Sequence, residues 1–123
     1  MFKPAYKFFG HELQCAVIHT TKTFKLEVKD MYPYLKSMFS KWKWHRIDTT
    51  NQIGFPDILL LRGGSYILIE AKILKKKQLN SIENDLVFQP GQLPFMKRSL
   101  TLRLDYILAV AKDNQIAFIK GAY

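Results

Sequence analysis

Asp57, Glu70 and Lys72 are the residues whose types and spacing point to chemistry. They flank two apolar runs, Ile58-Leu59-Leu60-Leu61 and Tyr66-Ile67-Leu68-Ile69, joined through Gly63-Gly64. A Gly-Gly pair between such runs marks a tight β-hairpin. A turn centred between the two glycines sets Leu61 opposite Tyr66, Leu59 opposite Leu68, and Asp57 opposite Glu70. Directly opposed residues hold their Cβ atoms about 4.5–5.5 Å apart, where like charges repel. Side chains two apart on a strand share a face, so Lys72 joins Glu70 while Ile69 and Ala71 point away. Two carboxylates and an ammonium thus converge where a divalent metal and a water fit, which is the makeup of a metal-assisted hydrolase. Glu-x-Lys is a common triplet, and a solvated charge cluster has the same composition. Pro56 at the strand start and the strongly apolar strands favour the metal site.

Hard carboxylate oxygens at Asp57 and Glu70 suit Mg²⁺, which keeps several of its waters and takes few protein ligands. Mn²⁺ substitutes at oxygen-rich sites. Three scattered histidines and one cysteine offer no zinc-ligand spacing. Lys72 is placed to hold the attacking water and to stabilise charge growing on a phosphate.

Pro56-Asp57 followed, after a hairpin, by Glu70-Ala71-Lys72 resembles the PD-(D/E)XK nuclease signature. Gly54-Phe55-Pro56-Asp57, Gly63-Gly64 and Ile69-Glu70-Ala71-Lys72 together are similar to the VRR-NUC branch and to archaeal-type Holliday junction resolvases, of which phage-encoded members have this compact size. The resemblance covers about residues 43–72 most closely and extends over 24–119. It implies a restriction-endonuclease-like α/β sandwich. It also implies the backbone carbonyl of Ala71 as a further metal ligand, and a glutamate on the first helix completing the site. Glu27 is the candidate for that acid, with Glu12 as its rival. A glutamine near the metal or the scissile phosphate is implied too, at Gln92, with Gln89 close enough to compete. Resolvase relatives, which serve DNA recombination, act as symmetric dimers, so a homodimer is expected.

The chain has 123 residues, enough for one domain with its own core. A hydrophobic fraction of 48% and an aromatic fraction of 14% argue against disorder. The single cysteine, Cys15, excludes an intramolecular disulfide and fits a reducing, cytoplasmic location, which is the host cytoplasm if the protein is phage-encoded. Lys3, Lys7, His11 and Glu12 interrupt any N-terminal signal-like run, and no run approaches the roughly 20 apolar residues of a membrane helix. Lys and Arg number 19 against 10 acids, a formal charge of +9. That balance favours a polyanionic partner, DNA above all, over a membrane surface.

The acids need a scaffold. Residues 1–22 are mixed: His11 to His19 suits either a short helix or a strand, and Phe2, Tyr6, Phe8 and Phe9 read as packing residues in an N-terminal extension. Phe24, Val28, Met31, Leu35, Met38, Phe39 and Trp42 recur at steps of three and four, which predicts a helix over 24–42, kinked or restarted at Pro33. Trp42 to Asp48 predicts a first strand, Thr49 to Gly54 a polar loop, and then comes the hairpin. Lys75 to Asp85 reads as a mobile, charged connection. A short helix is expected over Gln92–Leu100, with Pro94 in its first turn. Asp105–Ala111 predicts an apolar strand, Lys112-Asp113-Asn114 a turn, and Gln115–Ile119 an edge strand pairing back. The result is an α/β fold with a mixed central sheet covered on both faces, in which the strands bearing Glu70 and Asp105 run parallel through a crossover.

Lys75, Lys76 and Lys77, directly after the Glu70 strand, are candidates for phosphate contacts. Lys43 and Arg46, with Lys41, would extend that basic surface, and Arg98 and Arg103 are further candidates. These residues lead to the expectation of a Mg²⁺-dependent DNA endonuclease that recognises junctions or flaps. The alternatives are a sequence-specific restriction-like or homing enzyme, a non-catalytic nucleic-acid binder of the same fold, and a basic interaction protein without a site.

Overall fold

The computed structural model describes residues 1–47 and 54–123. Asp48 and the loop expected at 49–53 lie outside the described residues.

One six-stranded mixed sheet runs through the whole described chain, in the order β1-β2-β6-β5-β4-β3. Its strands are β1 (Ala5–Phe8), β2 (His11–Phe24), β3 (Lys43–Arg46), β4 (Ile58–Arg62), β5 (Ser65–Ile73) and β6 (Tyr106–Gly121). A π-helical turn, Glu27–Met31, runs into α1 (Tyr32–Met38), while α2 (Ile82–Asp85) and α3 (Gln92–Thr101) occupy the connection from β5 to β6. Every pair is antiparallel except β5 with β6, which is parallel as the crossover required. Among the described residues, no helix is long and apolar enough to cross a membrane.

The hairpin register is the one the sequence implied: Leu61 faces Tyr66 and Leu59 faces Leu68. Gly63 supplies the positive φ of +57° that the first turn residue needs. Alternation along β5 then sorts its side chains. Ile69 and Ala71 pack with Ile58, Leu60, Met31 and Leu35 beneath α1. Leu68 packs with Leu108, Val110, Met96 and Leu100 beneath α3. Glu70 and Lys72 share the α3 face with Leu68 by the same period of two.

Four expectations need correction. The helix over 24–42 is shorter, because Phe24 still belongs to β2, where it pairs with Asp113. Asp30 explains the start: one carboxylate oxygen accepts from the backbone N–H groups of Lys25 and Leu26 at 2.8 and 2.9 Å. Pro33 falls in the first turn of α1, where its missing N–H costs nothing. Met31 and Leu35 carry the buried stripe, whereas Val28 and Met38 are exposed.

The first twenty residues are not an extension. β1 and β2 form a hairpin that joins the sheet, and Tyr6, Phe8 and Leu13 are buried in the core under α2 and α3. Its turn has Phe9 at φ 47° and Gly10 at φ 81°, the two positive values a two-residue hairpin turn demands.

The connection after β5 is pinned. Leu79, Ile82 and Leu86 are buried, and Asp85 accepts hydrogen bonds from the backbone of Asn80 and Ser81 and from Lys76 Nζ. Those bonds, the Lys76 contact first, pull the Asp85 carboxyl down to about 2.

The strand after the Lys112-Asp113-Asn114 turn is not an edge. β6 doubles back there, with Asp113 at φ 54°, so that Tyr123 Oη donates to the carbonyl of Leu104 at 3.0 Å. Its first part pairs with β5 and its returning part with β2, which leaves β1 and β3 as the edges.

Candidate active site

Asp57 and Glu70 meet as the register required. The Asp57 carboxylate accepts a hydrogen bond from the backbone N–H of Ala71 at 3.3 Å, one residue past Glu70. Strand alternation turns the Ala71 carbonyl to that same side, toward Asp57. Glu70 is only 1% exposed, and neither of its carboxylate oxygens has a hydrogen-bond partner among the described residues. Burial above all, and then the neighbouring Asp57 carboxyl, push its pKa well above the carboxylate range, with Lys72 opposing. A buried carboxyl without a partner is costly for a fold to keep.

Lys72 is buried and donates from Nζ to Gln92 Oε1 at 2.7 Å, with the ammonium 5.0 Å from the centre of the Phe88 ring. The same Gln92 oxygen accepts from the backbone N–H of Gln89 at 2.7 Å. Gln92 therefore fixes the lysine, and Gln89 fixes Gln92. Glu70 is left free of the ammonium, which is held by a neutral oxygen.

Gly54 and Gly91 bring these parts together. Gly54 has φ +84°, and a Cβ there would lie 2.2 Å from the Gly91 carbonyl oxygen. Gly91 itself has φ 86° and opens α3 at Gln92. Phe55 packs against Phe95 of α3, ring centres 5.0 Å apart. The segment leading to Asp57 is thus pressed against the helix start that carries Gln92. Gly54→Ala is expected to push these segments apart, lowering the melting temperature by several degrees and disrupting the site. Unchanged melting and metal binding in that variant would show that the close approach is dispensable.

A cavity of about 570 Å³ opens over this cluster, lined by Glu27, Asp57, Glu70, Lys72, Val87 and Gln92 among others. Glu27 reaches it from the π-helical turn. Its pKa is raised, chiefly by burial, with Asp57 adding to the rise and Lys72 opposing it. Glu12, by contrast, lies on β2 opposite Lys7, away from the cavity. Among the described residues, no three acids, histidines or cysteines close into a metal cage by themselves. Glu27 lines the cavity together with Asp57 and Glu70. Asp57, Glu70 and the Ala71 carbonyl suit an ion that keeps most of its waters, and the partnerless Glu70 oxygens fit such an ion.

Lys75, Lys76 and Lys77 are exposed beyond the end of β5. Lys76 is paired with Asp85 at 2.9 Å, while Lys75 lies close enough to Glu27 to lower its pKa. Lys43 and Arg46 do not line the cavity. Arg46 pairs with Ile58 and lies 5.4 Å from the centre of the Tyr32 ring, on the α1 side of the sheet, because strand alternation puts it opposite the acid face. Two neighbours of the Glu70 and Lys72 cluster had no sequence signal. Tyr106 is fully buried, and its pKa is raised well above the usual value by burial and then by Glu70 and Asp57. Phe88, whose ring lies against the Lys72 ammonium, follows the charged run that ends at Asp85. Only the register of β6 against β5 and the path of the connection after β5 bring them here.

No known family model, curated protein or solved structure matches this chain.

Proposed function

We propose that the chain is a Mg²⁺-dependent nuclease that hydrolyses phosphodiester bonds in DNA and selects substrates by structure, with a fold of the PD-(D/E)XK type. The observation that carries this reading is the buried, unpartnered Glu70 beside Asp57, with Lys72 held on the same face by Gln92. In it, Asp57, Glu70 and the Ala71 carbonyl hold the ion. Bound Mg²⁺ would polarise the phosphate and lower the pKa of its water. Lys72 orients the attacking water and stabilises charge on the phosphate oxygens, and Gln92 keeps that lysine in place. The sheet, its two covered faces and the +9 charge agree with a DNA-cutting domain.

The test is a panel of branched, flapped, nicked, single-stranded and linear DNAs, with an RNA duplex alongside, in Mg²⁺, in Mn²⁺ and without metal. Metal-dependent cutting that favours branched DNA and disappears in Asp57→Ala supports the proposal. Binding without cutting in either metal replaces it with a non-catalytic binder.

Among the described residues, Lys76 of this run faces Asp85, while Lys75 and Lys77 form no ion pair. Converting both to Gln is expected to weaken binding to every DNA and to reduce the log–log salt slope by about 0.9 per lysine. An unchanged slope, measured by fluorescence anisotropy, would remove them from the interface.

A further inference from the structure

The opposite end of β5 holds a second cavity, of about 430 Å³, which uses none of the acid cluster. We propose that it binds a nucleobase carrying a phosphate, as presented by a free nucleotide or by an unpaired strand end.

Four aromatic residues, Trp42, Tyr66, Tyr106 and Tyr123, line it together with the cations Arg103 and Lys120 and one acid, Asp105. Its volume lies within the roughly 300–1,000 Å³ of small-molecule sites. The rings are positioned rather than loose. Tyr123 is tied to Leu104 through its hydroxyl, and the Arg103 guanidinium lies 5.5 Å from the centre of its ring. Gly121 makes room for that ring: a Cβ there would come within 2.1 Å of it. The Tyr66 hydroxyl accepts from the backbone N–H of Asp105 at 3.4 Å.

The backbone supplies what a base edge needs. β5 pairs with β6 only from Leu68 onward, where the Leu68 N–H meets the Asp105 carbonyl at 2.8 Å. Alternation turns the N–H and C=O of Tyr66 to that same side, beyond the last paired residue. One donor and one acceptor side by side, between aromatic rings, match the edge of a nucleobase. Arg103 and Lys120 would take its phosphate. Arg103 has φ 55°, in the left-handed region just after α3 where glycine is the usual occupant. An arginine kept there at the cost of strain is a feature found at binding sites.

The proposal is independent of cleavage at Asp57 and Glu70. The test is titration of the full chain, without metal, by nucleoside monophosphates, a short oligothymidylate and inorganic phosphate, followed by tryptophan fluorescence and calorimetry. Nucleotides or the oligonucleotide should bind at least tenfold tighter than phosphate, and whichever of the two binds tighter identifies the source. Tyr123→Ala and Arg103→Ala, both at exposed positions, should each weaken binding about tenfold, the scale of a lost base stack. Gly121→Ala should do the same while leaving the tyrosine present, and Glu70→Gln should leave binding unchanged. Phosphate binding as tightly as nucleotides, no binding at millimolar concentration, or full affinity in the folded Tyr123→Ala and Arg103→Ala proteins would overturn it.

Discussion

Glu70→Gln is expected to reduce Mg²⁺-dependent DNA cleavage to background and to flatten the dependence of folding stability on pH. Both effects come from one buried carboxyl. Glu70 is 1% exposed and partnerless, and burial raises its pKa in the folded chain above the unfolded value. A carboxyl with a raised folded pKa contributes stability that is fully present below its unfolded pKa, about 4.3. That contribution is lost as pH rises from the ordinary carboxylate range through the raised value, because the unfolded chain releases its proton first. The metal-free protein should therefore melt at a lower temperature at pH 8 than at pH 5. The glutamine variant, which has nothing to ionise at this position, should show less of this difference, the remainder coming from Glu27, whose pKa burial also raises. Mg²⁺ should raise the melting temperature of the native protein at pH 8 by binding only the folded state, and it should not do so in the variant. Thermal melts at several pH values, with and without Mg²⁺, check each part. An identical pH slope in the two proteins would mean that Glu70 is not the group that titrates.

Lys72→Ala is expected to lower the cleavage rate on the order of 10²–10³-fold, the usual cost of removing one donor that stabilises transition-state charge. Metal binding should persist, since the ammonium supplies no ligand atom. Gln92→Ala should cost less, because it releases the 2.7 Å bond that positions the lysine but leaves the charge in place. Single-turnover rates with calorimetric Mn²⁺ titration separate the two effects. A full rate in Lys72→Ala would take the lysine out of the reaction. Loss of Mn²⁺ binding in the same variant would make its role electrostatic support of the acids.

The centre of the molecule was legible because its determinants are local. A Gly-Gly turn fixes the register of its own strands, and that register alone brings Asp57 to Glu70. Gln92 was named by resemblance, but its bond to Lys72 was not legible, because it depends on the path that brings the start of α3 to β5. The β1–β2 hairpin was hidden because Phe9 occupies a turn position where Asn or Gly is the usual sign. The long helix was over-read because Phe24 and Met31 reach one core from a strand and from a helical turn, so that their spacing mimics a single helical period. Which side of β3 meets the acids was not legible, because the composition of a short strand does not say; Arg46 pairs with Ile58 on the α1 side. The pinning of the connection after β5 rests on Asp85, whose backbone partners carry no compositional mark.

The placement of β6 has a consequence for how the protein comes off the ribosome. Among the described residues β2 has β1 and β6 as its neighbours, and the residues of β6 that it meets, Asp113 and Gln115–Gly121, lie about a hundred positions downstream. Until that stretch has emerged, the nascent β1–β2 ribbon has no sheet to join, and an isolated two-stranded ribbon is marginal in water. Productive folding is therefore delayed to the late stages of translation of this segment. The waiting unpaired edge is open to misassembly with a second nascent copy.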